Sequence, residues 1–486
     1  MALVVGVDSS TQSTKVELRD LDTGELVASA SAAHPATTPP RSEQDPAAWW
    51  AAFETAFGEA ERLARVARGT ADIAAISVAG QQHGMVVLDD TGTVIRPAKL
   101  WNDTETAPDA GWLLKQLPGG AADWAEATGS VPVAAFTIAK LSWLHRSEPE
   151  NWARVARVVL PHDWLTGKLT GTLTGDAGGL TTDRGDASGT GYWSPARGEY
   201  CWDLLAIVDA DRDWSTVVPT VLEPGSAAGT WRGAVVAPGT GDNMSAALGL
   251  GLRAGDAVMS FGTSGTVYSV TSSATADPSG AVAGFASADG RFLPLVCTLN
   301  AMKVTDAAAR LLGVPAADLG ELALATELGA GGLTLLPYLD GERTPNRPNA
   351  TGWLSGLRSD VSREQFARAA VEGVVCGLLD GLDALTAVSG AMERVVMIGG
   401  GARSSAYRQT LADLCDLPVA TADADQAVAV GACVQAASVL EQVDAAVIAA
   451  RWGLGVTTPV ERSAASTDSS ITAVRARYAA LRDQTG

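Results

Sequence analysis

Leu3-Val4-Val5-Gly6-Val7-Asp8-Ser9-Ser10-Thr11-Gln12-Ser13-Thr14-Lys15-Val16-Glu17-Leu18 opens the chain. The apolar run Leu3–Val7 suits a buried strand, and Val16 and Leu18 begin an alternating one. Between them lie hydroxyl side chains and backbone amides with little bulk to cover them. Such a concavity of N–H groups can cradle a phosphate. Asp8 stands where the first strand ends. A carboxylate beside a phosphate repels it unless a cation lies between, and Mg2+ is commonly held by one or two carboxylates plus substrate phosphates. Ser/Thr-rich turns also form for purely local reasons, so this stretch alone leaves both readings open.

The pattern returns as Val258-Met259-Ser260-Phe261-Gly262-Thr263-Ser264-Gly265-Thr266-Val267-Tyr268-Ser269-Val270, again strand, small-residue turn, strand. Gly262 stands where the first copy has Asp8, so one half supplies a metal-side carboxylate and the other mainly backbone N–H groups. Two such hairpins facing each other are the arrangement of actin-like ATPases. The expected fold class is α/β: two actin-like (ribonuclease H-like) ATPase domains with a cleft between them. The expected domains are residues 1–233 and 234–460, with a final helix over 461–486 folding back on the first.

At 486 residues, two or three domains are expected. The 47% hydrophobic content supports a sizeable core. The net charge of −20 argues against a nucleic-acid or anionic-membrane partner. A bound phosphate must then be held by local amides, a metal ion and a few cations. The five cysteines show no metal-ligand spacing and are expected as free thiols in a reducing compartment. Met1-Ala2 runs straight into the first strand, which leaves no room for a leader, and no apolar run approaches the ~20 residues of a membrane span. A soluble, cytoplasmic protein is expected.

Ser42-Glu43-Gln44-Asp45-Pro46 leads into a helix, with Asp45 as N-cap and Pro46 in the first position. Ile73–Ala79 is a buried strand ending in Gly80-Gln81-Gln82-His83-Gly84. Ligands gather at the carboxyl ends of strands in α/β sheets. Gln81, Gln82 and His83 therefore mark a site mouth, and uncharged amide and imidazole groups suit a polyol or sugar. Leu100-Trp101-Asn102-Asp103 adds an aromatic face. Residues 171–195, rich in Gly, Thr and Asp, read as a loop, either a flap or a solvated insertion. Gly239-Thr240-Gly241-Asp242-Asn243 precedes a helix. Asp242 can cap it, yet the chain offers few other candidates for a general base, so catalysis is the preferred role. Glu342-Arg343 reads as an ion pair ordering its loop. Gly399-Gly400-Gly401-Ala402, between a strand and a helix, lets a flat ligand lie on backbone. Ala427–Leu440 reads as a small-residue helix in which Gly431 permits close packing. The sequence holds no G-x-x-x-x-G-K-[ST], so any phosphate site is not a P-loop.

Together these motifs resemble the FGGY carbohydrate kinases over nearly the whole chain. The resemblance rests on Gly6-Val7-Asp8, Ser42-Glu43-Gln44-Asp45-Pro46, Gly80-Gln81-Gln82-His83-Gly84, Leu100-Trp101-Asn102-Asp103, Gly241-Asp242-Asn243 and Gly262-Thr263-Ser264-Gly265. It continues through Gly341-Glu342-Arg343-Thr344-Pro345, Gly352-Trp353-Leu354-Ser355-Gly356-Leu357 and Gly399-Gly400-Gly401-Ala402-Arg403-Ser404. Within the family, the Ser-Glu-Gln-Asp-Pro, Gln-x-His-Gly and Trp-Asn-Asp pieces point to members that phosphorylate D-xylulose. The resemblance implies ATP and Mg2+, with Asp242 as general base and Asp8 as the metal-side carboxylate. It implies that Gln82, His83, Trp101 and Asn243 line the sugar. Thr11, Lys15, Thr263 and Ser264 would sit near the phosphates, and Gly400, Gly401 and Ala402 under the adenosine. Asn346, Thr240 and the 171–190 loop depart from close relatives and bear on substrate choice. Other readings are a kinase for ribulose, a pentitol or glycerol, an actin-like ATPase switch, and a sugar sensor without catalysis. The expected partner is a small-molecule sugar, with a homodimer as an option.

Overall fold

In the computed structural model the described residues are 2–174, 179–422, 426–464 and 466–484. They form two units. The first comprises Met1–Leu252, Ser272–Leu293 and Gln426–Gly455; the second comprises Arg253–Thr271, Pro294–Asp425 and Val456–Gly486.

The first unit is built on a sheet in the order Gly229–Trp231, Ala234–Val236, Ile73–Gly80, Leu3–Ser9, Ser13–Asp20, Leu26–Ala33. Leu3–Ser9 pairs antiparallel with Ser13–Asp20, which sets Asp8 across from Lys15. It pairs parallel with Ile73–Gly80, which sets Asp8 beside Ala79 and Ser9 beside Gly80. Thr240–Gly241 then lies parallel to Ala79–Gly80. Three chain segments therefore end together at the carboxyl edge of one sheet: after Ser9, after Gly80 and after Gly241. The helix Pro46–Arg68 covers one face, capped by the Asp45 side chain on the Ala47 amide, and buries Trp49, Phe53, Phe57 and Ala60. The helix Ala427–Glu441 packs against both Leu3–Ser9 and the helix Asp242–Gly249. The approach is backbone to backbone: a Cβ on Gly6 would overlap the Ala429 carbonyl, and one on Gly431 the Ser245 carbonyl. The Ser245 hydroxyl donates to Val428 O at 2.7 Å, and Gln435 accepts from the Ser77 hydroxyl and donates to Gly239 O.

The second unit repeats the local pattern. Asp256–Phe261 runs antiparallel to Gly265–Ser269 and parallel to Arg394–Ile398, as Leu3–Ser9 does with its neighbours. Phe292–Thr298 extends the sheet on one side, and Val419–Thr421 and Thr458–Val460 on the other. The helix Arg363–Ser389 opens with a reciprocal cap between Ser362 and Gln365 and buries Ala370, Val374 and Leu378.

Several expectations change. Strand Ala234–Val236 pairs with Ile73–Gly80, so the first unit runs on to Leu252, past the expected boundary at 233/234. The 427–455 segment also returns to the first unit. The last helix, Asp468–Gln484, packs on Thr334–Leu336, Arg363–Ser389 and Ser405–Leu414 of the second unit, not on the first, because its apolar side chains Ile471, Val474 and Tyr478 are buried there. The 171–195 stretch is no solvated flap. Thr181–Asp183 pairs with Thr220–Leu222, and residues 185–194 are buried; its residues 175–178 lie outside the described residues. Glu342 takes the amides of Leu299 and Arg343 and the Asn300 side chain, rather than ion-pairing with the Arg343 guanidinium. No single helix among the described residues is long and apolar enough to cross a membrane.

Gly431→Ala should destabilise the protein by about 3 kcal/mol, the upper end for overpacking, because two backbones must part to admit one methyl group. Denaturant unfolding monitored by circular dichroism checks this; a midpoint equal to that of the unmodified protein would contradict the close approach.

Candidate active site

The first carboxyl-edge segment is Ser9–Ser13, the turn between the opening strands. Next to it, the Gln81 amide donates to Ser9 O at 3.1 Å, so the two turns are joined through backbone. His83 adopts φ 65°, a left-handed conformation uncommon for a non-glycine residue. Three contacts hold it there. Its Nδ1–H donates to Gly189 O at 2.7 Å, its ring stacks on Phe136 with centroids 5.0 Å apart, and the Thr137 hydroxyl donates to its carbonyl. In the neutral ring this bond leaves Nε2 as the lone-pair nitrogen.

Asp242 is the first residue of its helix; Gly241, not Asp242, occupies the cap position. The Asp242 Oδ1 accepts from its neighbour's amide at 2.7 Å and from Asn243 Nδ2 at 2.9 Å. Asn243 Nδ2 also donates to Gln82 Oε1 at 2.8 Å. This chain of amides ties the Gly80–Gly84 turn to the carboxylate. It leaves the Nε2 atoms of Gln81 and Gln82 buried without a hydrogen-bond partner, and Asn102 Oδ1 likewise. Buried polar groups are normally satisfied, and the Gln81 and Gln82 nitrogens have capacity left for a ligand oxygen.

Burial raises the Asp242 pKa to about 7, and the charge of Asp8 adds to it, while the Asn243 hydrogen bonds oppose. Burial likewise lifts Asp8 to about 6, opposed by Lys15 and aided by Glu17. Two carboxylates thus share one electrostatic environment. A divalent cation would offset their mutual repulsion, so this donor set fits Mg2+ better than it fits two bare charges.

Trp101 and Thr11 meet directly. The indole Nε1–H donates to Thr11 Oγ1 at 2.9 Å, and the Thr11 hydroxyl donates to Gln81 Oε1 at 3.1 Å. Gln44 Nε2 donates to Thr11 O, and Gln44 Oε1 accepts from Trp49. Below this loop Lys99 is buried, with Nζ 3.1 Å from Glu43, 3.0 Å from Asp103 and 2.8 Å from Glu105, and 3.9 Å from the Trp143 ring centroid. Glu43, Asp103 and Glu105 have the spacing of a metal site, but the Lys99 ammonium already supplies their cation.

In the second unit, Thr263 and Ser264 are exposed at the tip between Phe261 and Gly265, and Gly400–Arg403 forms a single turn after Ile398. Both turns follow adjacent parallel strands. Among the residues singled out from the sequence, Asp8, Thr11, Lys15, Gln82, His83, Trp101, Asp242 and Asn243 belong to the first unit. Thr263, Ser264, Gly400, Gly401 and Ala402 belong to the second.

The sequence reading set Gln81 at the site mouth but missed its bond to Thr11 and a buried cluster behind these turns. His162 Nε2 lies 3.2 Å from Asp163, 3.5 Å from Asp183 and 3.4 Å from Asp186. Asp183 also accepts from the Thr240 hydroxyl at 2.7 Å and from the amides of Gly185 and Asp186. Burial pushes His162 down to about 3, Asp183 up to about 6, and Asp163 and Asp186 well above the usual carboxylate range. The only sequence signal was the Thr182-Asp183-Arg184-Gly185-Asp186 run inside a stretch that reads as surface.

Residues 3–249 match the N-terminal domain, and residues 257–440 the C-terminal domain, of the FGGY family of carbohydrate kinases. This chain belongs to that family. It is 48% identical to a xylulose kinase of Streptomyces coelicolor over 93% of this chain and 90% of that one. It is 33% identical to a xylulose kinase of Haemophilus influenzae over 89% and 90%. Among solved structures, a xylulose kinase from Bifidobacterium adolescentis matches with a TM-score of 0.87 and 40% identity, covering 99% of each chain. A Plasmodium falciparum glycerol kinase solved with ADP has a TM-score of 0.89 at 19% identity, a likeness of fold. The chain is therefore a carbohydrate kinase of the FGGY two-domain fold, a family for which ATP is the phosphoryl donor.

Because the folded-state pKa of Asp242 lies above the usual carboxylate value of 3.8, the folded state holds its proton more tightly than the unfolded one. Its stabilising contribution is complete below about pH 4 and is lost as pH rises through about 7. Asp242→Asn should therefore be more stable than the unmodified protein at pH 8, by on the order of 2 kcal/mol, with the advantage vanishing below about pH 4. Paired thermal melts without added Mg2+ check this; a difference independent of pH would contradict it.

Proposed function

We propose that this protein phosphorylates D-xylulose to D-xylulose 5-phosphate with ATP, a step of pentose catabolism. The observation that carries the reading is the tie between Asp242, Asn243 and Gln82: a proton-seeking carboxylate linked through amides to buried, unpartnered donors. Uncharged amide, imidazole and indole groups recognise hydroxyls rather than an anion. The relatives named xylulose kinase supply the choice of acceptor.

Phosphoryl transfer has a loose transition state, so positioning and charge stabilisation do most of the work. Asp242 accepts the proton of the sugar's terminal hydroxyl as that oxygen attacks the γ-phosphorus in line. A base whose pKa lies near the working pH combines a usable ionised fraction with a strong affinity for the proton. Asn243 fixes the rotamer of Asp242, and Gln82 extends the same amide chain to the sugar. His83, held by Gly189 and Phe136, presents its ring to the acceptor, and Trp101 offers an apolar face. Asp8 is the residue that would hold Mg2+, which supplies charge neutralisation for the β- and γ-phosphates. Thr11 and Lys15 serve the phosphates from the first unit. In the second unit, Thr263 and Ser264 are assigned to phosphate contact and Gly400, Gly401 and Ala402 to the adenosine.

Asp242→Ala should lower D-xylulose-dependent ADP release by about 10²–10⁴-fold while titration calorimetry still detects ATP binding. Near-normal turnover would remove Asp242 from the role of base. A coupled assay across D-xylulose, D-ribulose, a pentitol and glycerol should rank D-xylulose first by kcat/KM; a clear preference for another acceptor would overturn the substrate assignment.

A further inference from the structure

We propose that Thr11 is a positioning residue that couples acceptor binding to phosphate binding, because its one hydroxyl proton cannot serve Gln81 and a phosphate oxygen together. The inference rests on the reading of the Ser9–Ser13 turn as a phosphate cradle. A threonine hydroxyl has one donor and two acceptor positions. In this structure the donor goes to Gln81 Oε1 at 3.1 Å, and one acceptor position receives the Trp101 indole N–H at 2.9 Å. The Thr11 carbonyl is separately pinned by Gln44. The residue therefore sits at a junction of three segments: the phosphate turn, the Gly80–Gly84 turn and the Trp101 loop.

A phosphate oxygen entering the turn can take the Thr11 proton only if Gln81 Oε1 gives it up. Gln81 is 1% exposed, and its Nε2 already has no partner. Losing Thr11 as well would leave both ends of a buried amide unsatisfied, which is costly. An acceptor hydroxyl that donates to Gln81 Oε1 removes that cost. Each ligand thus lowers the penalty for the other, and the coupling is reciprocal by linkage. Trp101, held to the same oxygen, keeps the sugar-side loop in register with the exchange.

The test uses the full chain and the non-hydrolysable β,γ-imido analogue of ATP with Mg2+, its Kd measured by calorimetry with and without saturating D-xylulose. In the unmodified protein D-xylulose should tighten the analogue about five- to tenfold. Thr11→Val, which keeps the shape and removes the hydroxyl, should reduce that ratio to about one, with D-xylulose still bound. Thr11→Ser should preserve the ratio. Gln81→Leu, which removes the other partner, should abolish it as Thr11→Val does. A Thr11→Val protein that keeps the full ratio, or an unmodified protein that has none, would overturn the inference. If the unmodified protein does not bind D-xylulose, the acceptor assignment fails by itself. The same ratio is then read with D-ribulose and with glycerol, and its absence for every acceptor that binds would overturn the coupling.

Discussion

Close backbone packing of one late helix fixes the geometry of this protein's first unit. Ala427–Glu441 lies against both the strand that delivers Asp8 and the helix that begins at Asp242. Because Gly6 and Gly431 admit backbone where a side chain would block it, strand and helix are held to the same support. Parallel pairing completes the constraint, since Leu3–Ser9, Ile73–Gly80 and Thr240–Gly241 all end at one edge. The distance between the two carboxylates is thus a property of the packing and not of any loop.

That placement has an electrostatic consequence. The chain carries a net charge of −20, and burial raises the proton affinity of both Asp242 and Asp8, with the charge of Asp8 adding to the shift at Asp242. In the proposed reaction an anionic donor therefore needs local devices, for which turn amides, Lys15 and a cation beside Asp8 are the proposed candidates. Burial first, and the charge of Asp8 second, bring Asp242 into the range a proton acceptor needs near neutral pH. Behind these groups, burial raises the proton affinity of Asp163 and Asp186 and lowers that of His162.

Much of this was legible in the residues. The repeated hairpin around Asp8 and Gly262 gave the two-fold plan, and the Gly80–Gly84 and Gly241–Asn243 runs marked strand ends where ligands gather. Local signals also predicted the Asp45 cap correctly. What could not be read was long-range. Nothing in the composition of Ala427–Glu441 says which unit it joins, because a small-residue helix is buried wherever it packs. The last helix misled for the same reason: its apolar stripe has no address. The stretch from Thr181 to Ser194 misled because its Asp, Thr and Gly residues look solvated. In the fold Asp183 and Asp186 meet His162 and Thr240 instead. Thr11 read as a phosphate contact, and its bonds to Trp101 and Gln81 appear only in three dimensions.

The central claim is that the carboxylate of Asp242, aligned by Asn243 and Gln82, receives a proton from an acceptor hydroxyl. A crystal structure of the protein with D-xylulose and the β,γ-imido ATP analogue tests it most directly. The account predicts the terminal hydroxyl of the sugar within hydrogen-bond distance of an Asp242 carboxylate oxygen, with a Gln82 Nε2 bond to another sugar oxygen. A sugar bound elsewhere, or one whose terminal hydroxyl faces away from Asp242, would contradict it.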